Sequence, residues 1–317
     1  VSVLPRRRLG NTELEVSALS IGSWHTYDRM DFADAVAMVR TAVAAGINLF
    51  DVGVYGFPGM PPVFTDVIWS AMMRASGIPR EEYLVSAKLW LEGFGDEGFR
   101  PQLENAFLRG GFDVADLVIL GDIRRDDIVL EDLVDDLATL KKAGLIRAWG
   151  VNNWSATNIR RLQEIAAERG VDGPEIAQLK YSIGRRSIPD GEPFAALFDD
   201  GFSMQASDVL EGGLLAGSTT GREVGRDPGG VQAKIRDNAP AVAEVAAKLG
   251  TSAARLAVAF TLTHPANVTT LFGATKQSQL ADNLAAVDLV EQVGREELRA
   301  LVEPFWFDRG VVDPEGP

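Results

Sequence analysis

The sequence predicts an α/β chain closed into a TIM (β/α)8 barrel, and three observations carry that prediction. Short apolar runs alternate with longer amphipathic ones eight times, in the order that parallel strands and crossover helices require. The chain has 317 residues, which suits one barrel of roughly 250 residues plus insertions. The first strand leads into "GSWHTYDRMD", without the G-x-G-x-x-G turn expected of a doubly wound dinucleotide-binding sheet. Residues 1–317 are accordingly expected to form a single domain.

In order, "ALSIGSW" (18–24) reads as the first strand, and residues 31–46 follow as a helix. Val36, Val39 and Val43 form one stripe of that helix and Gly46 stops it. "INLFDV" (47–52) is the second strand, followed by a helix over 63–76. "YLVSAKLW" (83–90) and a helix over 100–111 make the third unit. In the fourth, Leu117 to Leu120 are continuously apolar and partly β-branched, as a strand covered on both faces would be, and the strand ends on Gly121 before a helix over 130–144. Strand 146–154 precedes a helix over 155–170, with Ser155 placed to cap it. Strand 176–182, helix 192–201, strand 202–207, helices across 231–264, strand 267–275 and helix 276–288 complete the eight.

Composition narrows the function. A hydrophobic fraction of 46% describes an ordinary globular chain with a large core. The absence of cysteine excludes disulfides, thiol nucleophiles and thiolate metal sites, and suits a cytoplasmic location. With only His25 and His264, far apart, a histidine-rich metal centre is not expected. A net charge of −14 argues against nucleic acid or an anionic membrane as partner, so any anionic ligand must be captured by local donors. No secretory signal and no membrane-spanning apolar run is visible. Oligomeric state stays open.

In a barrel, the chemistry belongs at the C-terminal strand ends. Those ends carry Trp24 and His25, Asp51 and Tyr55, Lys88, Gly121 and Asp122, Asn152 and Asn153, Gln178 and Tyr181, Ser207, and Gly273-Ala274-Thr275. A lysine is rarely buried without a partner, and Asp51 on the neighbouring strand is the expected one for Lys88. Tyr55 could then place its phenol beside the ammonium. A free phenol, with a pKa near ~10, protonates an alkoxide poorly at neutral pH, and a nearby cation would lower that pKa. The spacing alone fits equally a structural Asp–Lys pair with a tyrosine at the rim.

These residues and their surroundings resemble the aldo-keto reductase superfamily, NAD(P)H-dependent enzymes on a TIM barrel. The resemblance runs from "RRRLGNTELEVSALSIGSW", similar to the family's N-terminal β-hairpin, to "FGATKQSQLADNLAAVDL". It implies Asp51, Tyr55 and Lys88 as catalytic, from "GINLFDVGVYG" and "LVSAK". It implies that Asn153 in "GVNNW", beside Asn152, and Gln178 in "QLKYS" hold the nicotinamide carboxamide, and that Tyr181 stacks on the ring. Ser23 and Trp24 would line the same region. "SDVLEGGLLAG" resembles the loop along the pyrophosphate, with Ser207, Leu210, Gly213 and Leu214. "GATKQSQLADN" resembles the adenosine-phosphate segment, with Gly273, Ala274, Thr275, Gln279, Asp282 and Asn283. The implied cofactor is NADP(H), with NAD(H) admitted, and extra helices are expected at the C-terminus. The implied partner is a small carbonyl or alcohol compound, a sugar or secondary metabolite among them.

Three departures stand out. The family's tetrad histidine, in "DLY-x-x-H", aligns with Gly121. Asp51 and Tyr55 are four apart where the family has five, although Tyr55-Gly56 keeps the family's "YG". The pyrophosphate loop is one residue longer, with Asp208 near the usual Pro and Ser218 in place of a common Lys. Gly121 would open space for a bulky substrate, and His25 is the residue that could replace the lost imidazole; a pocket-wall histidine is the plainer reading. Trp90 and Trp154 read as rim packing or as an apolar substrate wall, Asp122 and Arg124 as loop charges, with Arg124 able to meet an anionic substrate, and His264 as structural. Beside a reductase, the sequence admits a cofactor-binding regulatory protein with weak turnover, or an isomerase or lyase that retains its cofactor.

Overall fold

The computed structural model describes residues 4–55, 63–219 and 221–316. Gly56 and the adjoining loop, 57–62, lie outside the described residues. An antiparallel hairpin comes first, β1 (Arg6–Arg8) with β2 (Glu15–Ser17). Eight parallel strands then close the barrel: β3 (Leu19–Gly22), β4 (Leu49–Gly53), β5 (Leu84–Leu89), β6 (Ala115–Leu120), β7 (Ile146–Asn152), β8 (Ile176–Lys180), β9 (Ser203–Ser207) and β10 (Asn267–Phe272). They pair in chain order, and β10 returns to β3. The crossovers are α1 (Phe32–Ala44), α2 (Thr65–Ser76), α3 (Arg100–Gly110), α4 (Leu130–Lys142), α5 (Ala156–Arg169) and α6 (Glu192–Asp199), then the pair α7 (Gln232–Lys248) and α8 (Ala253–Thr261).

Strand alternation decides what faces where. The outward row packs under the helices. Phe50 and Tyr83 meet Trp69 of α2 at 6.2 and 6.0 Å between ring centroids, and Phe112 meets it at 6.1 Å. Each such aromatic pair adds about 0.5–1.5 kcal/mol beyond area burial. With Phe50 facing out, Asp51 must face in. The inward row is apolar at the bottom, where Leu9, Leu14 and Val16 of the hairpin region plug the barrel against Leu49, Leu117, Ile119, Ala148, Ile176 and Val268. Higher up it turns polar, which fits a functional mouth at the C-terminal ends.

Most expected strands overran by one to three residues at that mouth, because their last residues curl into loops. The helix expected over 276–288 is broken into α9 (Gln277–Leu284) and α10 (Ala286–Val293), with α11 (Arg295–Leu301) beyond. Neither Gly nor Pro marks the break at Ala285.

Candidate active site

A cleft of about 1150 Å³ opens at the C-terminal mouth, slightly above the ~300–1,000 Å³ usual for ligand pockets. Ser23, Trp24, His25, Asp51, Tyr55, Lys88 and Trp90 line it from the β3, β4 and β5 ends. Asn152, Asn153, Gln178, Ser207, Leu210 and Gly213 continue the wall, and Gly273, Thr275, Gln279, Asp282 and Asn283 close its far end. Gly121, Tyr181, Leu214 and Ala274 are buried and do not line it.

Tyr181 is a correction. Gln178 faces the cleft, so the pleat brings Lys180 inward and sends Tyr181 out. Its ring packs on Phe260 at 5.0 Å, and its hydroxyl donates to Asp190 (3.0 Å) and accepts from Arg299 (2.8 Å). It cannot stack on a ligand in the cleft. Leu214 and Ala274 likewise belong to the core.

The expected Asp51–Lys88 pair is also corrected. Gln178 reaches across the barrel and separates them: its Oε1 accepts from Lys88 Nζ (2.6 Å) and its Nε2 donates to Asp51 Oδ2 (2.8 Å). The second proton of that amide goes to Gln205 Oε1 (2.7 Å), and Gln205 donates to Ser20 Oγ (3.3 Å). On the other side Lys88 donates to Asn152 Oδ1 (3.4 Å), while Asn152 and Asn153 both donate to Asp122. One polar chain thus crosses the cleft floor from Ser20 to Asn153. Fully satisfied buried networks of this kind rigidify a site. Asp122 is part of it rather than a loop charge.

Tyr55 lies beside this chain without joining it. Its ring sits 4.1 Å from Trp24 and 5.7 Å from Trp90. It folds over Gly53, where an added Cβ would meet the phenol oxygen at 3.0 Å and Cζ at 2.8 Å. Gly53 is therefore required by the approach of the phenol. Burial first, then Asp51, push the Tyr55 hydroxyl well above its usual pKa, and Arg222 opposes this. The expected lowering by Lys88 is absent, because the ammonium is turned to the two amides.

Gly121 does not open space. A Cβ there would lie 2.6 Å from Cε3 and 3.1 Å from Cζ3 of Trp90. The indole of Trp90 thus fills the position where a side chain on the β6 end would project. It is anchored there: Nε1 donates to the Val54 carbonyl (2.7 Å), and Gln102 bonds both its backbone N–H (2.9 Å) and its carbonyl (2.8 Å). Trp154 packs in the core and donates to the Gly121 carbonyl (2.9 Å). His25 adopts φ 51° and its ring lies 4.1 Å from Trp24. Burial and Arg222 push its imidazole below the usual range, so it is neutral at pH 7. His264 is buried under Tyr181 and Phe198, away from the cleft.

At the far end, Glu211 (φ 49°), Gly212 (66°) and Gly213 (97°) form a left-handed run that turns the loop against the cleft wall. Glu211, wholly buried, is held by Arg185 (2.9 Å) and Ser182 (2.6 Å). Gln279 folds back onto the Thr275 N–H (2.8 Å), and Asp282 pairs with Arg255 (2.8 Å).

Lys180, Arg222 and Arg226 also line the cleft and were not singled out by the sequence. Alternation from Gln178 would have found Lys180; the others sit on loops without a local signal. Among the described residues no group of acidic or histidine side chains could hold a metal ion, and no helix is long and apolar enough to cross a membrane.

The profile of the aldo/keto reductase family matches residues 18–301. Over 306 residues the chain is 26% identical to a probable voltage-gated potassium channel subunit beta of Oryza sativa subsp. japonica, covering 90% of this chain and 91% of that protein. It is 27% identical to L-galactose dehydrogenase of Arabidopsis thaliana, covering 94% of each. It is also 27% identical to protein tas of Escherichia coli (strain K12), covering 89% of this chain and 92% of that one.

Proposed function

The chain belongs to the aldo/keto reductase family, whose members carry out NAD(P)H-dependent oxidoreduction, and from that premise we propose that it reduces a small carbonyl compound with NADP(H). The observation that carries this reading is the convergence of Asp51, Tyr55 and Lys88 on one large cleft at the barrel mouth.

The residues present fit such a cofactor. Ser23 Oγ is buried in the cleft wall without a hydrogen-bond partner, and so offers an unused polar group. Gly212 and Gly213, both in the left-handed region, present backbone to the cleft. Ser23 and Asn153 would hold the nicotinamide end, Leu210 and Gly213 the pyrophosphate, and Gln279 and Asn283 the adenosine. Gln178 would contribute only its oxygen, both N–H groups being engaged. A nicotinamide bound there supplies the hydride.

The chain's own residues supply the proton and its surroundings. With its pKa raised, Tyr55 stays protonated through the neutral range but is a weaker acid than a free phenol, so it donates to a developing alkoxide only once ligand binding brings that pKa down. Lys88 is held at the cleft floor by Gln178 and Asn152, and Trp24 and Trp90 pack around the phenol.

Trp90 in the place of an imidazole donor at the β6 end favours a second reading, a cofactor-binding protein that turns over slowly. Loss of one oxyanion donor costs about 10²–10³ in rate. The experiment is NADPH binding by nicotinamide fluorescence, followed by turnover on aldehydes, ketones and sugars, with Tyr55→Phe as control. Turnover lost in Tyr55→Phe with NADPH binding kept supports reduction. Tight binding with no turnover in either protein refutes it in favour of the second reading.

A further inference from the structure

Beside the cleft, sharing Asn153, Lys180 and Arg226 with its wall, lies a chamber of about 20 Å³. That is room for roughly one or two water-sized atoms. Three of its lining side chains are cations: Lys180, Arg185 and Arg226.

Each of them has unused capacity. Lys180 is only 9% exposed, yet its donated bond goes to the Arg226 carbonyl. Its nearest carboxylate, Asp208, is 3.8 Å away and already bonded to Arg222 at 3.2 Å. Arg226 donates to two neutral carbonyls, those of Glu315 (2.8 Å) and Ile123 (2.6 Å). Arg185, 4% exposed, engages Glu211 and Asp227 through Nε and Nη1, but its Nη2 is buried without a partner. Asp308 also lines the chamber, but its oxygens accept from the N–H groups of Arg186 and Ser187 and from Ser187 Oγ.

Buried cations are costly unless an anion with hydrogen-bonding oxygens compensates them. In a chain of net charge −14, such a cluster is a local arrangement and not a bulk property. We infer that the chamber receives the carboxylate of the substrate, so that the chain acts on carbonyl compounds that are also carboxylic acids. The carboxylate lies against Lys180, Arg226 and Arg185 Nη2, and the rest of the molecule extends into the cleft. This rests on the reading of the cleft as an oxidoreductase site.

The test is a binding measurement, independent of turnover. Protein saturated with NADP⁺ is titrated by calorimetry with a series of 2-, 3- and 4-oxo carboxylates and with their methyl esters. Charge-assisted bonds predict that at least one acid binds about ten- to a hundred-fold tighter than its ester. In Lys180→Met and Arg226→Gln the acid should lose that preference while NADP⁺ affinity holds within about two-fold. Equal binding of acids and esters to the wild-type protein overturns the proposal, whatever the variants do. So does an equal loss of NADP⁺ affinity in Lys180→Met, which would assign the cations to a cofactor phosphate. Failure of the wild-type protein to bind NADP⁺ at all removes the oxidoreductase reading first, and this proposal with it.

Discussion

Gly121→Ala is the sharpest probe of the Trp90 arrangement. Gly121 is not among the residues with positive φ, so its backbone alone does not demand glycine. The added Cβ would stand 2.6 Å from Trp90 Cε3, about 1 Å inside the usual ~3.5–4.0 Å carbon contact. The indole cannot slide freely, because Val54 holds its Nε1 and Gln102 holds its backbone on both sides. Overpacking of this kind costs about 1–3 kcal/mol. Against it stands a gain of roughly 0.4–1 kcal/mol from a stiffer unfolded chain. The net expectation is a loss of about 1–2 kcal/mol in urea unfolding. In a Trp90→Ala background the clash is gone, and Gly121→Ala should become neutral or stabilising, a coupling of about 1–3 kcal/mol. The same geometry says that Gly121→His can place an imidazole at the β6 end only after Trp90 is cut back. If Gly121→Ala is neutral in the wild-type protein, or costs the same in both backgrounds, Trp90 does not hold that space.

Two further outcomes follow from buried charges. Glu211→Gln removes one partner of the buried pair with Arg185 and should cost about 3 kcal/mol in the same unfolding assay, since Arg185 keeps Asp227; a loss below about 1 kcal/mol would mean that the pair does not hold the loop. Burial pushes the His264 imidazole below its usual 6.5, against the opposing pull of Asp190 and the Pro189 carbonyl. The unfolded chain then takes up a proton that the folded chain refuses, so stability is full above pH 6.5 and falls as pH drops below it. Between about pH 7.5 and 5.5 the wild-type protein should lose more stability than His264→Gln, and equal slopes would clear His264 of the effect.

The barrel was legible because its two periodicities alternate in order along the chain. Sites on the inward face were legible wherever one residue's direction was known. Asp51, Lys88 and Gln178 all face the cleft as expected, whereas Tyr181 was placed on the wrong side of a pleat that Gln178 already defined. The failures came from groups that meet across the barrel. Asp51 and Lys88 sit on adjacent strands, yet Gln178, 127 residues from Asp51, comes between them. Gly121 read as empty because the ring that fills it belongs to the neighbouring strand end. No local pattern encodes either contact.

The amide of Gln178 has one more consequence, for proton traffic. A carboxylate and an ammonium in direct contact could pass a proton between them; a primary amide interposed between them conducts none at neutral pH. Among the described residues, Tyr55 has no hydrogen bond to the chain that runs from Ser20 to Asn153. The interior is therefore an orienting frame and an insulator. If Tyr55 gives up its proton in each cycle, as proposed above, it would have to be reloaded from water entering by the open side of the cleft, and the residues that shape that opening would govern how quickly the next cycle can begin.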